Sequence, residues 1–362
     1  MKQILFKLNL NGLGVVNFDD SERQVYTLGK YKIATGLNKN VKLGKKVFFE
    51  TNDGDGDAPK MSYKLKISAD CLRHAIYEHN VDVVNPSIMQ LDYVFANYLL
   101  SPVGMTRGYM FTNKDASSIK RKSPLTISDA IQSNGSKSNI EVGSTTGERS
   151  ETSFFYTEKV GDINYSAKGI IDLRSLMFIS ADAKFDRLAI NPDWVTNGLA
   201  HDVLESHFGK DAKEQYGWFT STAKYLTKAL SENGILLNKE IVDALVKFIL
   251  KNLLAIDIRR NNAFAKTASL QIKFVDNPIT DTFDEEDGWI TIGSEADIDS
   301  LDITPDEFYT KATDEDIKEI KDLEAKYEEI KKNASDKKDE SEKDSSNKKR
   351  AKGRAKKATT DE

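Results

Sequence analysis

The run "SSIKRKSPL" at residues 117–125 sets three consecutive cations, Lys120, Arg121 and Lys122, before Ser123-Pro124. Three like charges side by side suit a solvated loop face or the oxygens of a polyanion. Arginine offers a planar fork and lysine a point charge, and phosphates accept both. Between Ser101 and Ser123 stand five cations, Arg107, Lys114, Lys120, Arg121 and Lys122, against the single anion Asp115. Further along, Arg259-Arg260-Asn261-Asn262 follows the apolar stretch "VDALVKFILKNLLAI", and "TSFFYTEKV" gathers Phe154, Phe155, Tyr156 and Lys159. Phosphates want Arg and Lys, and unstacked bases want a ring to lie on, so this mixture fits a single-stranded nucleic acid. Core aromatics beside a solvated basic loop account for the same residues.

Other chemistries find less to work with. "GLG" at 12–14 lacks a third glycine and leads into "VVNF", so it reads as a glycine turn and not a dinucleotide site. "DGDGD" at 53–57 offers three carboxylates, but Ala58 and Lys64 stand where a calcium loop needs glycine and glutamate; a flexible acidic turn is the better reading. Cys71 and His74 share a helix face, yet His79 falls about 140° round from His74 at about 100° per residue, and no fourth ligand is near in sequence. No metal site and no cofactor are expected. The four histidines, at 74, 79, 201 and 207, form no nucleophile–base arrangement, and nothing requires an enzyme.

The formal charge of −5 averages three unlike segments. Residues 276–330 hold 20 Asp and Glu against 4 Lys, residues 331–362 hold 12 Lys and Arg against 7 acids, and residues 1–275 hold 36 cations against 30 anions. The sequence pI of about 5.6 therefore describes the C-terminal region. A mildly basic body is compatible with a polyanionic partner. No run is long and apolar enough for a membrane span, the N-terminus "MKQILFKLNLNG" is not a signal peptide, and one cysteine, Cys71, fits a reducing cytoplasm.

These residues need elements to hold them. "QILFKLNL" alternates Ile4, Phe6, Leu8 and Leu10, the period of a half-buried strand, and "SYKLKIS" repeats the pattern. Asp70 is expected to cap a helix over "CLRHAIYEH", and "SIMQLDYVFANYLL" has helical spacing. "RGYMFT" reads as a strand. "TSFFYTEKV-GD-INYSAKGII" reads as a hairpin turning at Gly161-Asp162, because glycine at the first central position suits a type II′ turn. "LMFIS" adds a strand, helices are expected over 213–232 and 239–255, and "SLQIKFV" closes the body. Loops are expected at 50–60 and at 132–150, a solvated helix over "DEDIKEIKDLEAKYEEIKK", and a disordered tail from about 331. The pattern is α+β, related to the split βαβ, ferredoxin-like plan with long loop insertions.

In order along the chain, "GLGVVNF", "CLRHAIYEHNVD", "GMTRGYMF", "KRKSPLTISDAI", "ETSFFYTEKVGDINYSAKGIIDLRSLMFISADAKFDR", "GILLNKEIVDALV" and "LAIDIRRNNAFA" resemble the backbone subunit of type I-F variant CRISPR effector (Cascade) complexes, in the Cas-seven branch of the RAMP superfamily. The resemblance implies an RRM-like palm with a thumb β-hairpin, polymerising head to tail along a CRISPR RNA that it presents for pairing with target DNA. The implied partners are CRISPR RNA, target DNA through the guide, further copies of the chain, the five-prime-end cap subunit and the guide-processing endoribonuclease. The implied setting is cytoplasmic antiviral defence. The expected layout is a RAMP palm with inserted thumb and loops over 1–277, an acidic segment over 278–330 and a basic tail over 331–362. Arg107, Lys114, Lys120, Arg121, Lys122, Lys159, Arg259 and Arg260 are the expected RNA contacts, with Phe154 and Phe155 as stacking platforms. The rival reading is a guide-processing RAMP endoribonuclease, which needs a positioned general base. The tail "NKKRAKGRAKKATTDE" is either a nonspecific nucleic-acid arm or a solubilising end.

Overall fold

The computed structural model describes residues 1–13, 16–17, 24–28, 31–35, 43–50, 60–78, 92–112, 118–133, 137–145, 154–183, 187–209, 214–221, 232–260, 263–277, 282–318, 321–323 and 325–332. The chain divides into two units, Met1–Tyr216 with Asn233–Phe308, and Gly217–Glu232 with Tyr309–Glu362. Residues 282–308, expected to belong to a separate acidic segment, are thus part of the first unit.

The first unit is built on an antiparallel sheet. Its first strand, Gln3–Leu13, buries Phe6, Leu8 and Leu10 completely, and the residues between them face the other way. That strand lies between Ala263–Val275 on one side and the long strand Phe154–Asp172 on the other, both antiparallel to it. Beyond the long strand come Ala130–Gln132, Lys60–Ile67 and Leu43–Glu50. A bulge at Asn9/Leu10 breaks the register with the strand Ala263–Val275. The close pairing of Phe6 with Gly169 requires a glycine, because a Cβ there would collide with the Phe6 ring and the Thr126 carbonyl.

Two helices occupy the long crossovers. Ala69–Tyr77 lies in the chain between the first strand and Ala130–Gln132, and Lys239–Leu254 between the long strand and Ala263–Val275. In each case the two joined strands point the same way with an antiparallel strand between them. Helix Lys239–Leu254 starts where the Asn238 side chain accepts from the Ile241 amide at 3.0 Å, and it buries Ile241, Leu245, Val246, Ile249 and Leu253 at helical spacing. Helix Ala69–Tyr77 is capped by Ser68, whose hydroxyl accepts from the Cys71 amide at 3.2 Å, and not by the expected Asp70, which sits in the first turn. The core between helices and sheet is one cluster containing Phe6, Leu8, Ile76, Leu99, Trp194 and Leu245.

Three further expectations are corrected. The chain does not turn at Gly161-Asp162: Phe154–Asp172 is one strand of 19 residues. Its inner half pairs with the first strand and its outer half with Lys137–Thr145, so cross-strand partners on both sides outweigh the local turn preference. Lys137–Thr145 was expected to be loop and is strand, making a nine-pair hairpin with Phe154–Asp162. The helix expected over 213–232 is replaced by strand at Glu214–Ser221, where aromatic residues and Gly217 disfavour helix, and strand again at Glu232–Leu237.

In the second unit Phe219–Ser221 pairs antiparallel with Tyr309–Lys311, and residues 314–318 and 325–332 are helical. The tail expected from 331 lies outside the described residues from 333 onward, as does the turn of the loop expected at 50–60. Among the described residues no helix is long and apolar enough to cross a membrane.

Candidate nucleic-acid interface

The first two cations of the basic run end a short strand, whose period of two separates them, and Lys122 follows it. In Ile119–Arg121 the Arg121 side chain turns inward and is 8% exposed, Lys120 is half-buried, and Lys122 emerges into solvent. Arg121, one of the expected phosphate contacts, has its guanidinium engaged within the fold. Its guanidinium donates to the carbonyls of Ser175 at 2.7 Å, Phe178 at 2.9 Å, Met105 at 3.3 Å and Leu176 at 3.3 Å. A fork of donors committed to four carbonyls ties three segments together within the fold.

Lys122 lines a cleft of about 440 Å³ together with Asp70, Arg73, Arg107 and Arg121. Arg107 ends the helix Pro102–Arg107, where its charge complements the carbonyl end of the helix. Arg73, on helix Ala69–Tyr77, donates to the Arg107 carbonyl at 3.1 Å and so joins the two walls. The backbone between them is fixed by Gly108, at φ 75°, where a Cβ would lie 2.7 Å from both the Arg121 carbonyl oxygen and the Ser123 nitrogen. The Ser123 hydroxyl donates to the carbonyl of Thr106 at 3.0 Å and accepts from the Leu125 amide at 3.2 Å, pinning the loop that carries Lys122 against the helix end. The cleft thus sets Arg73, Arg107 and Lys122 beside Asp70, with Arg121 engaged by the carbonyls of its wall, an arrangement that can take a phosphate of a chain without reading a base.

The remaining expected contacts lie elsewhere. Lys114 falls outside the described residues. Arg259 is on the outer strand Asp257–Arg260, its side chain 73% exposed and bonded to Asp257 at 2.7 Å. That hydrogen bond, with Lys266 at 3.4 Å, holds the Asp257 carboxyl below its ordinary range. Arg259 stands opposite the exposed Phe264, itself opposite Leu13, and Arg260 stands opposite Ala263. Phe154, Phe155 and Lys159 occupy the outer half of the long strand, opposite Thr145, Ser144 and Ile140. The cleft thus unites Arg107 and Lys122, while the hairpin and the Arg259 edge are separate places.

Arg73 was missed in the sequence. It sits in "CLRHAIYEH", weighed only as the polar side of a helix, and the signal was its position three residues after Asp70 on one helical face. Among the described residues no cluster of three His, Cys, Asp or Glu could hold a metal.

A family model described as "Type I-Fv CRISPR-associated protein Cas7fv-like" matches residues 1–284. No curated protein matches the chain. Among solved structures, a chain of a "CRISPR RNA-guided surveillance complex" is similar at 8% identity and a TM-score of 0.34, over 91% of this chain and 84% of that one. A chain of a "CRISPR RNA-guided surveillance complex, pre-nicking" is similar at 8% identity and a TM-score of 0.31, over 77% and 80%. The family assignment rests on the family model alone.

Proposed function

The chain belongs to the type I-Fv CRISPR-associated Cas7fv-like family, and from that membership we propose that it is a Cas7-like backbone subunit of a CRISPR RNA-guided surveillance complex. The observation that carries this reading is the match over residues 1–284. In the proposed role the subunit holds guide RNA through phosphates and leaves sequence to base pairing. Further copies of the chain, the five-prime-end cap subunit and the guide-processing endoribonuclease complete the assembly.

The finer anatomy follows from topology. Strand order Ala263–Val275, Gln3–Leu13, Phe154–Asp172, Ala130–Gln132, with a helix in each crossover, is that of two interleaved split βαβ units and supports reading this body as the RRM-like palm. The hairpin of Lys137–Thr145 with Phe154–Asp162 is the thumb, because it extends the palm strand outward instead of joining the sheet's main path. Arg73, Arg107 and Lys122 hold phosphate.

The endoribonuclease reading is not favoured. His207 is half-buried against the Asn97 carbonyl at 3.3 Å, His201 faces Glu205 within its own helix at 3.7 Å, and neither lines the cationic cleft.

The test is to purify the protein from cells expressing a CRISPR array. RNA is expected to co-purify in a multimeric particle and to dissociate with salt, with a log–log slope of roughly −0.7 per phosphate contact. Monomeric protein without RNA would overturn the proposal.

A further inference from the structure

The central sheet has a second face, away from the helices. In register across three strands it presents Lys168, Lys7 and Gln271, then Ser166, Asn9 and Ser269, then Asn164, Asn11 and Lys266. Asn9 links the middle row, donating to Ser269 and accepting from Ser166 at 2.9 Å each. A polar, lysine-bearing sheet face with no helix on it among the described residues is a surface on which a single strand of nucleic acid can lie.

One end of that face is already covered. The acidic stretch "FDEEDGW", Phe283–Trp289, crosses it before the chain joins the sheet edge through Ile290–Ile292. The Lys7 ammonium stands 4.1 Å from the centre of the Trp289 ring, and that of Lys168 5.4 Å from Phe283. The two rings stack on each other, 6.3 Å apart and 26° from parallel. Asp284 pairs with Lys168 at 3.4 Å, and Glu285 pairs with Lys273. Gly288, at φ 82°, brings the backbone against the Lys273 stem. Stacked rings with anions between them, laid on lysines, imitate two nucleotides.

We propose that Phe283–Trp289 is a built-in nucleic-acid mimic that keeps the Lys7–Lys168–Lys273 end of the sheet closed until single-stranded nucleic acid displaces it. The contacts suit displacement. Asp284 is 91% exposed and Lys168 52%, so their ion pair is screened and weak, and the cation–π contacts are as easily exchanged for bases and phosphates. The segment is tethered at both ends, so it competes at a fixed high local concentration and returns when the ligand leaves. This inference rests on the nucleic-acid-binding role proposed above and adds a control on it.

The test uses the full chain and fluorescein-labelled oligouridine. Asp284→Asn with Glu285→Gln removes the charge of the mimic and keeps its shape. Binding is expected to tighten by roughly 2- to 30-fold at low salt, the range for two ion pairs, Lys168–Asp284 exposed and Lys273–Glu285 with its lysine 12% exposed. Lys7→Gln with Lys168→Gln should then weaken binding more in that background than in the wild-type chain. In the wild-type chain, oligouridine should speed hydrogen exchange of the amides at 283–289. Equal affinity of the charge-neutral variant, or slower or unchanged exchange at 283–289 on saturation, overturns the mimic while leaving the general role intact. If no form of the chain binds oligouridine or guide RNA, both readings fall together.

Discussion

The guanidinium of Arg121 donates to the Phe178 carbonyl at 2.9 Å, so the middle cation of the basic run is engaged by the frame of the cleft. Arg121→Met, which keeps the length of the side chain and removes its donors, leaves the carbonyls of Ser175, Phe178, Met105 and Leu176 without this partner. The expected loss of stability is about 3 kcal/mol, read from urea unfolding. Protein that remains folded should bind oligouridine as the wild type does. Weakened RNA binding with unchanged stability would return Arg121 to the ligand surface.

Arg73, Arg107 and Lys122 should behave in the opposite way. Each alanine substitution is expected to leave the urea midpoint near the wild-type value and to weaken binding of unrelated single-stranded RNAs equally. Each should also make the salt dependence shallower by roughly 0.7 in the log–log slope. A salt series by fluorescence polarisation checks this, and a loss confined to one RNA sequence would count against phosphate contact.

Gly108 is the hinge of this frame. Alanine there would be held at positive φ with its Cβ in contact with the Arg121 carbonyl and the Ser123 amide. Gly108→Ala should destabilise the fold by about 1–3 kcal/mol. Urea unfolding checks it, and a variant as stable as wild type would mean that the turn is not confined as the structure has it.

His207 gives the first unit a pH dependence. Burial lowers its pKa below the usual 6.5, with the hydrogen bond to the Asn97 carbonyl acting the other way. The folded ring therefore prefers to be neutral, and the unfolded chain binds the proton more readily. This contribution to stability is whole above pH 6.5, declines as pH falls from 6.5 toward the lower folded-state value, and levels off below that. In His207→Gln that part of the slope should vanish from urea midpoints measured across the window. Superimposable pH profiles for the two proteins would refute the assignment.

The strands whose alternation was strongest were legible in the sequence. Phe6, Leu8 and Leu10 announce the first strand because one face of it is buried, and Ile241 to Leu253 announce their helix for the same reason. The long strand was not legible at Gly161-Asp162. A local Gly-Asp pair signals a turn, and only partners from residues far away, Leu13 and Ser138 among them, keep the chain straight there. The cleft was half legible. Composition pointed to residues 101–123, but adjacent residues of a strand face opposite ways, and only the fold supplies the carbonyls that draw Arg121 inward. Arg73 came from a different element 34 residues before Arg107, and only the fold brings the two together.

The unbroken strand Phe154–Asp172 has a mechanical consequence. At about 3.3 Å per residue it is about 60 Å long, clamped over eleven residues by the first strand and continuing outward with Lys137–Thr145 as its only ladder partner among the described residues for most of its remaining length. It works as a cantilever. Sliding is blocked, because a slip of one residue would turn every side chain of the clamped half to the wrong face. Bending is the soft mode that is left. Were neighbours in the proposed filament to press on that tip, the stiffness of this one beam would set how far the repeat can stretch when a second strand pairs with the guide.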